Sequence, residues 1–137
     1  MTASPTWQEM LQHTREHGLS SQEYDQWWKE AHDRGEDAVD LWHALEEHLW
    51  RTHQNAPHAP PEMDAHIGDM MCFSNNPQWW DVLARWYGTK TLNWLWLDDM
   101  LAGDNHKMLL ALLQHPTWSA SNNTSAEELF VPNGNSL

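Results

Sequence analysis

The stretch that most constrains this fold runs from Thr91 to Pro116, TLNWLWLDDMLAGDNHKMLLALLQHP. It reads as two short helices back to back, 92–102 and 105–115. In the first, Leu92, Trp94, Leu95, Trp96, Leu97, Met100 and Leu101 leave only Asn93 and the Asp98-Asp99 pair as polar positions. In the second, Met108, Leu109, Leu110, Leu112 and Leu113 run almost unbroken. A helix that is apolar all round is either buried inside a bundle or inserted in a membrane. Each run is about half the roughly 20 residues that a bilayer requires, and charges interrupt both. The pair is therefore expected to be buried, with Leu110 in the core and the other helices wrapped around it.

Those other helices are marked by apolar spacing and by caps. Ser4-Pro5 has the form of a cap followed by a proline at the first helical position. Trp7, Met10, Leu11 and Thr14 then make an i, i+3, i+4, i+7 stripe that stops at Gly18. Ser20 and Glu23 form a capping-box pattern for a second helix, striped by Tyr24, Trp27, Trp28 and Ala31 and closed by Gly35. A third helix starts near Glu36-Asp37, turns Ala38, Leu41, Trp42, Leu45 and Leu49 inward and runs to about His53. The prolines of NAPHAPP, Asn55 to Pro61, favour an extended connector. A fourth helix then runs from about Pro61 to Phe73. Asn76-Pro77 caps a fifth, striped by Trp79, Trp80, Leu83, Trp86 and Tyr87 up to Gly88.

No alternating strand pattern appears, so the class is all-α: about seven short helices in one bundle or array. The domain is expected over 1–118, followed by a polar and mostly irregular tail, 119–137. Within that tail Leu129-Phe130-Val131, like Trp118 before it, is a candidate to dock back. Gln26-Trp27-Trp28 recurs as Gln78-Trp79-Trp80, and at the same offset Trp42, Leu45 and Leu49 match Trp94, Leu97 and Leu101. A duplicated three-helix unit would give these matches, and so would chance in a chain this rich in Trp and Leu.

Charge narrows the function. Among 137 residues, seven Lys+Arg stand against twenty Asp+Glu, a formal −13. Direct binding to a nucleic-acid backbone is disfavoured, because affinity there comes from cationic side chains displacing counterions. An acidic surface instead steers basic partners into encounter. The single cysteine, Cys72, excludes an intramolecular disulfide. MTASPTWQEM has neither the basic nor the apolar region of a secretory signal. A cytoplasmic protein without membrane attachment is expected.

Chemistry-bearing patterns are sparse. His13 with His17, Glu62 with His66 and Asp69, and His43 with Glu47 share helix faces if each set is helical. Bundles hold di-metal centres with carboxylates and His at Glu-x-x-His spacing. That spacing is absent, as are HExxH, GxSxG, phosphate-binding glycine loops and paired cysteines. Cys72 lies among Met70, Met71 and Phe73, where burial raises a thiol's pKa and makes it inert. No catalytic residue, metal site or cofactor is expected.

The strongest remaining signal is acidity. Residues 21–50 hold nine acids against Lys29 and Arg34, a local −7. Trp28, Asp33, Glu36, Asp40, His43 and Glu47 are therefore the expected partner-binding residues. Each Trp-Trp pair points about 100° apart, so one member can face the core while the other stays at its edge. An exposed Trp beside carboxylates has the composition of a binding hot spot rimmed by charge. Small size, acidity, aromatic richness and the lack of catalytic motifs are shared by immunity, antirestriction and anti-CRISPR proteins, a resemblance of kind that rests on no single motif. The expectation is a non-enzymatic protein that occludes a basic surface of a partner, such as a nuclease or another nucleic-acid enzyme. The alternatives are a metal- or cofactor-binding bundle, or a subunit that forms homo-oligomers through its Trp faces.

Overall fold

The computed structural model describes residues 4–89 and 94–121, the side chains of 119–121 excepted. Among them are eight helices and no strand: α1 Trp7–His17, α2 Ser21–Arg34, α3 Ala38–His53, α4 Met63–Phe73, α5 Trp79–Tyr87, α6 Trp94–Ala102, α7 His106–Gln114 and α8 Pro116–Ser121. The all-α expectation holds. Residues 122–137, most of the expected tail and its Leu129-Phe130-Val131 cluster, lie outside the described residues.

Most helix ends follow from local chemistry. Ser20 and Glu23 form the expected reciprocal capping box of α2, and Asp37 caps α3 by accepting from the Val39 N–H at 3.0 Å. α1 begins later than Ser4-Pro5 suggests. Thr6 is its N-cap and makes a second capping box with Glu9. A threonine with a glutamate three residues on satisfies two orphan N–H groups, which proline at position 5 cannot match. α5 likewise starts after Gln78, and the Asn76 side chain accepts from the Gln78 N–H at 3.1 Å.

The chain forms two compact units. The first comprises the described residues through Ala56 together with Pro60–His66. In it α3 packs against α1 and α2, and Leu41, Trp42, Ala44 and Leu45 are wholly buried. Two cross-links join α1 to α3: an Arg15–Glu47 ion pair at 3.1 Å, and the Arg51 guanidinium donating to the Arg15 carbonyl.

The second unit comprises Pro57–Ala59 and the described residues from Ile67 onward. Trp80 is its hub. The indole rings of Trp96 and Trp118 lie 6.2 and 5.4 Å from it, and its own N–H donates to the Met108 carbonyl at 2.9 Å. Trp118 returns the bond, donating to the Trp80 carbonyl at 2.9 Å. The segment after Pro116 is therefore helical at first, and Trp118 docks as the sequence suggested. Asn105 caps α7 and also donates to the Met71 and Ser74 carbonyls, so one buried amide ties α4 to α7. Gly103 permits a close approach, because a Cβ there would lie 2.5 Å from the Cys72 carbonyl oxygen.

The α6–α7 pair is not buried all round. Trp96, Leu97, Met100, Met108 and Leu112 face inward, while Trp94, Leu95, Leu101, Leu110 and Leu113 are exposed. Leu110, at 55% exposure, is not a core residue. Apolar composition on every face leaves open which face is covered, and only one helix side is packed here. Nor does burial follow the internal repeat: Trp42 and Leu49 are buried, but their counterparts Trp94 and Leu101 are exposed. No helix among the described residues is long and apolar enough to cross a membrane.

Candidate functional site

The α2–α3 turn assembles the acidic corner. Gly35 adopts the left-handed conformation (φ 72°), and the next N–H, of Glu36, returns to the Ala31 carbonyl at 2.8 Å. This tight reversal sets Asp33, in the last turn of α2, beside Glu36, the cap Asp37 and Asp40 in the first turn of α3. Asp33, Glu36 and Asp40 are exposed, and none belongs to an ion pair among the described residues. Asp37 and Asp40 sit at a helix N-terminus, where the dipole favours them, but Asp33 lies at a C-terminal end, where it does not.

The other expected partner residues are used differently. Glu47 is held by Arg15, and His43 lies 3.6 Å from Glu46. Trp28 is half-buried, its ring 5.7 Å from Tyr24. Its neighbour Trp27 is also half-buried, 5.6 Å from His13. Trp79 and Trp80 are both fully buried, so neither Trp pair divides into one core and one wholly exposed member.

A second feature was not apparent from local patterns. Within the first unit a partly open cavity of ≈ 320 Å³ lies among the α1–α2 turn, α3, and the Pro60–His66 segment. Its apolar lining includes Leu45, Leu49 and Met63. Four histidines line it as well: His17, His48, His53 and His66. The carboxylates are Glu23 and Glu62, and no Lys or Arg is among its lining residues. The six polar groups are spread over 50 positions of sequence, which is why no motif revealed them. The signal available beforehand was the histidine surplus, ten in 137 residues.

Glu62 is distinctive. It precedes α4 instead of sitting on it, and its backbone has φ 68°, unusual for a residue with a side chain. The Ser21 hydroxyl donates to its carboxylate at 2.9 Å, and the Ser21 N–H donates at 3.4 Å. Glu23 accepts from the Ser20 N–H at 3.0 Å, which holds its carboxyl below the usual range. The Ser20 and Ser21 N–H groups thus already have carboxylate partners, and the Glu23 N–H donates to the Ser20 hydroxyl at 3.1 Å.

His48 packs against the α1–α2 turn so closely that a Cβ at Gly18 would lie 2.5 Å from its ring. Its Nδ1 is buried without a hydrogen-bond partner among the described residues. Burial pushes the His48 imidazole below its ordinary value, the Arg51 and His53 charges push it further, and the carbonyl ends at Arg15 and Glu16 oppose this. Burial lowers His53 too. His66 is 3% exposed and meets the Tyr24 ring edge-on at 5.4 Å.

Glu62, His66 and Asp69 do not share a helix face, because Glu62 lies before the helix. No group of three His, Cys, Asp or Glu among the described residues is placed to hold a metal ion. Cys72 is half-buried, with its thiol raised by burial and by the charges of Asp99 and Asp69.

No known family, curated protein or solved structure matches this chain.

Proposed function

We propose that the protein acts by binding, presenting its acidic α2–α3 corner to a basic surface of a partner protein, such as a nuclease or another nucleic-acid enzyme, and occluding it. The observation that carries this reading is the trio Asp33, Glu36 and Asp40: exposed, outside any ion pair among the described residues, and brought close in the chain by one tight turn. Holding several like charges together has an electrostatic cost, and a cationic partner removes it. Trp28, half-buried beside Tyr24, supplies an aromatic edge on the same helix as Asp33.

The experiment is capture of a cationic partner from host extract, followed by binding of the purified pair across a salt series. The triple variant Asp33→Lys, Glu36→Lys, Asp40→Lys should keep its helical circular dichroism, because exposed charges contribute little to stability. Its association rate should fall at least tenfold at low salt, since complementary charge acts mainly on encounter. Equal association rates for parent and variant would sink the proposal. Reversing Glu47 should have a smaller effect, because that carboxylate is already neutralised by Arg15.

A second reading, self-association through α6 and α7, is favoured by the exposure of Trp94, Leu101 and Leu110, at 52%, 56% and 55%. Exposed apolar patches of this kind commonly mark interaction surfaces.

A further inference from the structure

We propose that the cavity of the first unit binds a small organic cation, an ammonium group carried on a compact apolar body. At ≈ 320 Å³ the cavity lies at the low end of the range in which proteins hold small molecules. Its chemistry is two-sided: Leu45, Leu49 and Met63 offer an apolar wall, and Glu23 and Glu62 carry negative charge.

The alternatives fail on specific grounds. An anion would need cationic side chains or open N–H donors. Lys and Arg are absent from the lining, and the Ser20 and Ser21 N–H donors at the start of α2 are taken by the chain's own carboxylates, which would also repel an anion. A metal ion would need three converging ligands, which the described residues do not provide. An ammonium group needs only a negative field and acceptors. The carboxylates supply the first. Burial keeps His48 and His53 neutral at pH 7.5, so neither adds a repelling charge.

Glu62 is held in place at the cavity wall. Glu62, like the exposed turn residue Asp104, has a positive φ, here 68°, a conformation that turns the chain sharply into α4. Pro60-Pro61 stiffens the approach, and Ser21 fixes the carboxylate beside the cavity.

The test uses three probes of one shape and different charge: benzylamine, benzyl alcohol and benzoate. Each is titrated into the whole protein at pH 7.5 while the imidazole signals are followed by NMR. Benzylamine should shift the His48, His53 and His66 signals saturably. Benzyl alcohol should bind at least tenfold more weakly, and benzoate should not bind. Leu19→Trp, placed on the half-exposed lining, should abolish the shifts without loss of helical circular dichroism. Glu62→Gln should weaken benzylamine about tenfold. Should that variant unfold, the ranking of the three probes and the Leu19→Trp result still decide. The proposal is overturned if benzoate binds as well as benzylamine, if no probe moves the imidazoles, or if Leu19→Trp binds like the parent.

Discussion

Gly18 and Gly35 both end helices, but the structure assigns them different burdens. Gly35 (φ 72°, ψ 25°) is left-handed with open space around it. Gly18 (φ 71°, ψ −176°) lies in a region open essentially to glycine alone, against the His48 ring. Gly35→Ala should cost about 1 kcal/mol, and Gly18→Ala at least about twice that, measured by urea titration. His48 itself links stability to pH. Its folded pKa, like that of His53, is below the ordinary 6.5, so the neutral form is preferred on folding. The stability this contributes is fully present above pH 6.5 and is lost as pH falls through the folded value. Protonation would also place a proton on the buried Nδ1, which has no acceptor among the described residues. The urea midpoint should therefore drop between pH 7 and 5, with a shallower drop in His48→Gln. Glu9 and Glu23 have lowered values, so their contribution is lost only below the ordinary 4.5, a separate window.

At the scale of helices, the α6–α7 pair shows what apolar runs conceal. Leu112 is 5% exposed and Leu110 is 55% exposed, two positions apart on one helix. Leu112→Ala should cost about 2–5 kcal/mol as a core truncation. Leu110→Ala should cost less than about 1 kcal/mol, since little apolar area leaves water there on folding. Chemical denaturation of the two variants checks the assignment of faces. α8 makes the complementary point: a short segment in polar sequence is anchored by Trp118, buried to 2% against Trp80.

For the whole molecule, a formal −13 at neutral pH opposes association between copies. That repulsion fades as pH falls towards the sequence pI of ≈ 4.9. Light scattering should then show growing self-association as pH falls from 7.5 to 5.5, suppressed by Leu101→Lys with Leu110→Lys on the exposed apolar face. What the sequence determined by itself was the helical class, the helix order and most helix ends. Those features rest on hydrogen bonds and apolar spacings within about four residues: Ser20 with Glu23, Asp37 with Val39, Asn105 with Met108. The acidic corner was legible for the same reason, since Asp33, Glu36 and Asp40 are close in the chain. Only the tertiary structure decided that Arg15 takes Glu47 out of that face, that Trp79 and Trp80 are both buried, and that α6 and α7 leave one side open. The cavity belongs to this second group. Its lining runs from His17 to His66, and no local rule brings a helix end, a later helix and a strained glutamate together. Helix formation is local, but burial and cavity shape depend on which distant side chains pack against each face.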